Sequence, residues 1–414
     1  MKIGGRSIGV TVILGAGAAI DIGAPATLRI TDMITKGHLS RSEPWVFIRE
    51  LKEKLDDYYN CKANFEDLLH CVETLLNYTR PLKELNSKHK PVLGEFMQII
   101  DPKYINHLNL YKSKIEILET IFEEIRKYDS KFNVPENHKF YSNFWSDLCN
   151  LVSTDIYNLN YDRTIQNSLI ENGIEFEEGF INDPLRENVK KFNPENLYSA
   201  SNKVVNLHGS IYFGFKKDLS NEDLLNYNFQ DLYLHLSSLD AKETWGRKTG
   251  RSDILTQSGE KVISSPIITG LRKLEKLNVA PFNFYHSLLP MSIVNNSSLL
   301  IIGYSFGDDH INSYIEKHRL IHGKSSKVCL ITFMDKEDKK TWHHNISEMS
   351  KLTGFINHEM FSFIAKASNE SNPETTFEYK NPHESRDKNF RMYFGGFKDT
   401  VDNYKKEILE FLNS

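Results

Sequence analysis

Four short groups of small and polar residues could together hold and cleave a ligand that carries phosphate. Gly15-Ala16-Gly17 follows an apolar run, where glycines permit a tight turn and let backbone N–H groups approach a pyrophosphate. Asn160-Tyr-Asp162 and His208-Gly-Ser210 supply an amide, a carboxylate and an imidazole, which can orient a substrate and accept a proton. Gly303-Tyr304-Ser305 is the fourth group.

Each group also has a simpler structural interpretation. A strand-to-helix turn needs small residues in any case, Asp162 could cap a helix, and His208 could be a buried histidine satisfied by the core. The usual glycine fingerprint is incomplete because Ile20 stands in place of its third glycine, and the GxxxxGK[ST] pattern of a P-loop is absent. One group alone therefore assigns no function.

The elements that must position these groups are predicted from short apolar runs. Such runs, typical of buried strands, occur at residues 10–14, 155–159, 204–207, 298–302 and 328–333. The four polar groups follow the first four runs, and ligands bind at the carboxyl ends of strands in open α/β sheets. The sequence therefore predicts an α/β fold with a Rossmann-like parallel sheet and a site at its carboxyl edge.

Other segments interrupt or extend this sheet. Helical periodicity predicts a helical insertion at about 43–140, and residues 216–260 are polar and irregular, either a second insertion or a lid. We expect residues 1–335 to form the catalytic domain and residues 336–414 a C-terminal extension. The extension ends in an amphipathic helix, 401–412, that docks either on the core or on a partner.

Two connections within the helical insertion are predicted to be solvated loops. Residues 82–90 and 128–139 are rich in lysine and asparagine, which favours exposed turns between helices.

Composition excludes several classes of protein. Lys+Arg number 51 against 55 Asp+Glu, so the basic excess of a protein dedicated to nucleic acid is lacking, and we expect no sequence-specific nucleic-acid binding. Apolar residues at 40% and aromatic residues at 12% indicate an ordered globular chain rather than a disordered one. The apolar stretch 9–20 is too short to span a bilayer and has no signal-peptide cleavage pattern, so cytoplasmic residence is expected.

Metal and disulfide chemistry are also disfavoured. The four cysteines are scattered and form no CxxC pair, so no zinc knuckle or disulfide framework is expected. Asp308-Asp309-His310 and His343-His344 lack companion ligands at suitable spacing, which favours capping and supporting roles over a metal site.

Taken together and in order, the four polar groups closely resemble the sirtuin-like domains of bacterial anti-phage defence proteins. The resemblance spans roughly residues 8–335, with Gly23-Ala-Pro25 completing the first group and Asp309-His-Ile311 the last. Protein deacylases of the sirtuin family carry two cysteine pairs for zinc and continue their first loop with Asp-Phe-Arg. Here Ala26-Thr-Leu28 follows the proline and no cysteine pair exists, as in the defence branch, whose members hydrolyse NAD.

The resemblance implies NAD as substrate, nicotinamide and ADP-ribose as products, and NAD depletion during phage infection (abortive infection). Asn160 would orient water or the nicotinamide ribose, Asp162 would hold the carboxamide, and His208 would act as the base. The first group would cradle the pyrophosphate, and Gly303, Tyr304 and Ser305 would lie at the adenine ribose.

The resemblance also implies partners. It is closest to stand-alone sirtuin-like subunits that form homo-oligomers and work with a HerA-type hexameric ATPase, with an Argonaute-linked protein as the next candidate. Three other functions stay open: an NAD-dependent protein deacylase, a non-catalytic subunit that binds a nucleotide, and a nuclease, which the charge balance disfavours.

Overall fold

The computed structural model describes most of the sheet and its covering helices. Described are residues 9–36, 43–60, 62–79, 106–130, 138–184, 186–215, 232–245, 266–269, 277, 279–333, 382–385 and 387–414. The predicted loop at 82–90, the pair His343-His344 and much of 216–260 lie outside the described residues.

The strands form two sheets. They are β1 Gly9–Leu14, β2 Ser153–Asn158, β3 Phe180–Asp183, β4 Arg186–Phe192, β5 Asn202–Asn206, β6 Phe213–Gly214, β7 Tyr233–His235, β8 Ser298–Ile302, β9 Lys327–Ile331, β10 His383–Glu384 and β11 Phe390–Tyr393. The main sheet has the order β10-β11-β9-β8-β1-β2-β5, and every pair in it is parallel except β10 with β11. The predicted α/β fold is confirmed, and each of the five predicted apolar runs contains a strand of this sheet.

The main strands are apolar because both faces of the sheet are covered. In β1, Val10, Val12 and Leu14 belong to the core on one face, whereas Ile13 belongs to the core on the other. Side chains alternate between the two faces of a strand, so burial on both sides requires an uninterrupted apolar run.

Helices cover the sheet and also form a separate bundle. They are α1 Thr27–Lys36, α2 Glu43–Tyr59, α3 Phe65–Thr79, α4 His107–Asp129, α5 Lys139–Leu151, α6 Thr164–Glu171, α7 Ser238–Glu243, α8 Phe282–Asn295, α9 Asp309–His322 and α10 Gly396–Asn413. The first four share an apolar core that also includes Tyr161 and Ile211, which follow β2 and β5. The helical bundle therefore packs directly on the loops at the carboxyl edge of the main sheet.

The predicted solvated connection at 128–139 is wrong for its first two residues. The connection 128–139 was expected to be solvated, yet Tyr128 and Asp129 complete α4 and are buried. Their polar groups are satisfied by Asp162 and Tyr212, which are distant in sequence, so no local pattern reveals their burial.

A second, antiparallel sheet has the order β3-β4-β7-β6 and was not predicted. β4 reads Arg-Glu-Asn-Val-Lys-Lys-Phe and is partly exposed along its length, so it lacks the apolar alternation that predicts a strand. β7 and α7 lie within the segment 216–260, whose described part is therefore regular rather than irregular.

The C-terminal segment joins the main sheet. β11 pairs with β9, and α10 packs across α5, β8 and β9. The ring of Phe397 lies among those of Phe140, Tyr141, Phe144 and Trp145, with centroid distances of 5.2 to 6.0 Å. Of the two predicted positions for the last helix, docking on the core is the one that the structure shows.

We expect Phe397→Ala to destabilise the whole domain, because truncating a buried phenylalanine costs about 3–5 kcal/mol. Phe333→Ala is the matched control, since that side chain is exposed. Thermal unfolding followed by circular dichroism should show a much lower midpoint for Phe397→Ala alone. Equal midpoints for the two variants would mean that α10 does not dock as described.

Candidate functional site

The site predicted at the sheet edge coincides with a reversal in strand order. From β1 the chain adds β2 and β5 on one side, then returns to place β8 and β9 on the other. Connections leave β1 and β8 in opposite directions, which creates a topological switch point where α/β proteins bind ligands. The loops that follow β1 and β8 carry Gly15-Ala16-Gly17 and Gly303-Tyr304-Ser305.

The glycines of these two loops pack backbone against backbone. The N–H of Gly15 donates to the carbonyl of Ile302 at 2.9 Å, and that of Gly17 donates to the carbonyl of Gly303 at 2.9 Å. A Cβ at Gly15 would lie 2.4 Å from the Gly303 oxygen, and one at Gly303 would lie 2.2 Å from the nitrogen of Ala18. Side chains are therefore excluded at these positions.

This contact alters the predicted phosphate cradle. Because Gly15 and Gly17 both donate to the β8 loop, Ala16 is the member of the group whose N–H makes no backbone hydrogen bond among the described residues. The turn that follows, Ala16–Ile22, is a 3-10 helix rather than the start of an α-helix. The predicted cradle of three backbone N–H groups is thus reduced to that of Ala16.

Asn160 links the β2 loop to the β1 loop. Its side-chain amide donates to the carbonyl of Gly15 at 3.1 Å, while its own N–H donates to the side chain of Asn158 at 3.0 Å. The side chain of Asn206, at the end of β5, donates in turn to the carbonyl of Asn160 at 3.3 Å. Asn160 is half-buried, so it lies at the carboxyl edge where a ligand can reach it.

Asp162 has both carboxylate oxygens occupied within the fold. One accepts hydrogen bonds from the N–H and hydroxyl of Thr164, at the start of α6, and the other accepts from the hydroxyl of Tyr128. The residue is 1% exposed. It fixes the Asn160 loop and α6 to the helical bundle, and its predicted contact with a carboxamide stays a prediction that this geometry does not favour.

Asp129 lies beside Asp162 in the same buried cluster. It accepts a hydrogen bond from the hydroxyl of Tyr212 at 2.6 Å and another from the N–H of Arg163 at 3.1 Å. Burial, reinforced by the charge of Asp162, nevertheless raises the pKa of Asp129 from 3.8 to about 6. The cluster ties the end of α4 to the loops after β2 and β5.

His208 faces Asp308 across the edge of the sheet. Its Nε2 lies 3.7 Å from Oδ2 of Asp308, and both side chains are less than one-tenth exposed. Gly209 follows with a φ of +88°, and a Cβ there would lie 1.9 Å from the carbonyl oxygen of Pro266. The N–H of Ile268 donates to the carbonyl of His208 at 2.7 Å, so the backbone on both sides of the imidazole is held.

The loops after β1, β2, β5 and β8 form a closed ring of contacts. Asn160 joins β2 to β1, the glycines join β1 to β8, His208 with Asp308 joins β8 to β5, and Asn206 joins β5 to β2. β5 and β8 are three strand spacings apart, or about 14 Å, so their loops can meet only by reaching over the ends of β1 and β2. The ring therefore encloses the ends of those two strands.

His286 of α8 lies beside the candidate site, and the sequence did not identify it. Its Nε2 lies 3.1 Å from the carbonyl of Leu207, and its ring centroid lies 5.4 Å from that of His310. Burial and the neighbouring His310 lower the pKa of His286 to about 4, so it is neutral near pH 7. Its only sequence signal is a lone histidine in a largely apolar helix.

The side chains of the β8 loop differ in their exposure to solvent. Ser305 is exposed, whereas the ring of Tyr304 is buried and its hydroxyl donates to the side chain of Asn312 at 2.9 Å. Only the backbone of Tyr304 is therefore positioned for a ligand.

Two features are absent from the described residues. No group of three or more His, Cys, Asp and Glu side chains is arranged to hold a metal ion there. Within the same residues, every helix is too short or too polar to cross a membrane.

Part of the chain matches a known protein family. A family model described as a SIR2-like domain matches residues 154–350, slightly under half of the chain. The matched region includes Asn160, His208 and Gly303, and the structure adds β1 and its glycine loop between β2 and β8. The match supports a sirtuin-like domain and implies chemistry related to NAD. No curated protein matches the chain.

The packing of the two glycine loops predicts a difference between two glycine substitutions. Gly303 and Gly173 have φ values of +60° and +65°, but a Cβ at Gly173 would meet nothing within 4 Å. Gly173→Ala should lower the free energy of unfolding by only about 1–2 kcal/mol, the cost of a left-handed backbone for alanine. Gly303→Ala should lower it further, because its Cβ must also separate the two loops. Urea unfolding should therefore show a distinctly larger loss for Gly303→Ala, and equal losses would contradict the packing.

The raised pKa of Asp129 predicts a pH dependence of stability. The folded chain binds this proton more tightly than the unfolded chain, so stability is lost as the pH rises from about 4 to about 6. The loss amounts to about 2–3 kcal/mol. Asp129→Asn should lack this component, although it also loses a hydrogen bond at every pH.

The measurement is the thermal midpoint between pH 4.5 and 7.5. We expect the thermal midpoint of Asp129→Asn to fall less than that of the wild-type protein over this interval. The midpoint of the exposed Asp57→Asn control should follow that of the wild type. Parallel curves for all three proteins would show that Asp129 is not held protonated.

Proposed function

We propose that this chain hydrolyses NAD at the bond between nicotinamide and ribose, releasing nicotinamide and ADP-ribose. The observation that supports the proposal is the ring of four strand-end loops, because these loops carry Asn160, His208 and Asp308 at the carboxyl edge of the main sheet, beside its switch point. The SIR2-like match supports NAD as the ligand.

The leaving group determines what the site must supply. Nicotinamide is a cation within NAD and leaves as a neutral molecule, so no general acid is needed, in contrast to ordinary glycosides. A water oxygen attacks C1′ of the ribose, the C1′–N bond breaks with its electron pair passing to nicotinamide, and the water proton passes to His208. Asn160 orients the water or the ribose hydroxyls.

Substrate binding falls to the two loops at the switch point. The N–H of Ala16, in the turn between Gly15 and Gly17, receives the pyrophosphate, while Gly303 and the exposed Ser305 face the adenine ribose. Asp162 contributes indirectly, since its hydrogen bonds hold the loop from which Asn160 projects.

We further propose that the reaction serves anti-phage defence in the cytoplasm and depletes NAD during infection. An unregulated activity of this kind would kill its own cell, so control by assembly is required. The resemblance noted above favours a homo-oligomer that works with a HerA-type ATPase encoded nearby.

The test is release of nicotinamide from NAD by the purified chain, alone and with the product of its neighbouring gene, measured by chromatography. Asn160→Ala and His208→Ala should each lower turnover at least about 100-fold, the lower range for a positioned general base. Both variants should keep wild-type circular dichroism.

Matched controls lie on the surface of the same chain. Asn150→Ala and His70→Ala remove the same side chains at exposed positions and should retain full activity. Nicotinamide release that requires an acetyl-lysine peptide would identify a deacylase instead. NAD binding without turnover in either condition would identify a non-catalytic nucleotide-binding subunit.

A further inference from the structure

We propose that Asp308 is a positioning residue for His208: its carboxylate fixes the orientation of the imidazole and strengthens it as a proton acceptor. The kinetic part of this inference rests on the proposed NAD hydrolysis. The physical part, a coupled His208–Asp308 pair, does not.

Local sequence assigns Asp308 another role, which the structure does not show. Asp308 occupies the N-cap position of α9, where an aspartate normally accepts a hydrogen bond from the first turn. Here its side chain makes no capping hydrogen bond, and its Oδ2 lies 3.7 Å from Nε2 of His208. The carboxylate is thus turned away from its own helix and towards the site.

The loop that carries Asp308 is held rigidly. The N–H of Asp308 donates to the hydroxyl of Tyr304 at 3.1 Å, and this hydroxyl donates to Asn312. Asn312 donates to the carbonyl of Phe306 at 2.8 Å, and the rings of Tyr304 and Phe306 are in contact. These contacts fix the backbone from which the carboxylate projects, which is what orientation of a general base requires.

The pair lies where a carboxylate has the greatest effect on an imidazole. His208 is 4% exposed and Asp308 is 8% exposed, so water screens their interaction poorly. A carboxylate that faces Nε2 favours the tautomer with its proton there and leaves the lone pair on Nδ1. The distance of 3.7 Å exceeds a hydrogen bond, and such contacts often shorten only when substrate binds.

The same loop connects the pair to the ligand. Gly303 packs on Gly17, and Ser305 is exposed at the proposed adenine ribose. A ligand that contacts this loop therefore contacts the segment that carries the carboxylate, so substrate binding and orientation of the base are coupled through one loop.

Other charged groups near the pair must be considered in any pH profile. His286 of α8 is neutral at neutral pH because burial lowers its pKa to about 4, and His310 of α9 faces it. The charge of Glu66 in α3 reaches Tyr161 and Tyr304. Asp57 of α2 is exposed and lies outside the four polar groups, so Asp57→Asn is a matched control that removes the same charge elsewhere on the chain.

The experiment compares Asp308→Asn, Asp308→Ser, Asp308→Glu and Asp57→Asn with the wild-type chain. For Asp308→Asn we expect kcat about 10- to 100-fold lower with KM within about threefold, part of the roughly 100- to 10,000-fold contributed by a positioned base. The acidic limb of the kcat/KM profile should move to lower pH. The carboxylate stabilises the protonated imidazole, so without it the imidazole gives up its proton at a lower pH. Asp308→Glu should keep the acidic limb at its wild-type pH, and Asp57→Asn should match the wild type in kcat, KM and pH profile.

A capping role gives the opposite pattern. Asparagine and serine are both good N-caps, so Asp308→Asn and Asp308→Ser would then keep wild-type kcat and pH profile, and the inference would be wrong while NAD hydrolysis stands. A wild-type chain that releases no nicotinamide, alone or with its neighbour, would instead overturn the proposed function and the kinetic inference with it.

The pair itself is tested without turnover. Thermal midpoints of His208→Ala, Asp308→Asn and the double variant should be non-additive at pH 5.5, where an imidazole is mostly charged, and closer to additive at pH 8. Additive midpoints at both pH values would show that the two side chains are not coupled.

Discussion

The site depends on one close contact between two pieces of backbone. The loops after β1 and β8 meet through Gly15, Gly17 and Gly303, with donor–acceptor distances of 2.9 Å and no room for a Cβ. This contact fixes the β8 loop over the switch point, and the same loop ends in Asp308 beside His208. The order of strands in the sheet brings the two loops together, and the glycines allow them to touch.

The helical bundle takes part in the same arrangement. Tyr128 reaches from α4 to the carboxylate of Asp162, and Asp129 accepts from Tyr212 beyond β5. Two carboxylates are thereby buried side by side, which is costly unless both are hydrogen-bonded or one keeps its proton. Because three of those hydrogen bonds join α4 of the bundle to the loops after β2 and β5, the position of the bundle and that of the Asn160 loop cannot change independently.

The sequence predicted the parts of the fold that rest on local patterns. Strands β1, β2, β5, β8 and β9 are visible because burial on both faces requires continuous apolar runs. Their ends carry Asn160, His208 and the glycines, so these site residues could be found as well. Strand β4 is half-exposed and polar, and β11 follows a long hydrophilic stretch, so neither gives such a signal.

Contacts between distant segments could not be predicted in this way. Asp308 lies at the start of a helix, where its sequence context favours a cap, and only the fold shows that it faces His208. The burial of Tyr128 and Asp129 likewise depends on partners beyond β2 and β5.

The missing third glycine of the first motif has a physical explanation in this fold. In dinucleotide-binding turns that glycine lets an α-helix pack closely on its strand. Here the turn continues as a 3-10 helix, and Ile20 at that position is 45% exposed, so close packing of an α-helix on the strand does not require a glycine there. The first two glycines are required by the β8 loop, while the third position carries no such constraint. The fingerprint is therefore incomplete because the glycines of this turn serve its packing against the β8 loop. They do not serve the packing of an α-helix on β1.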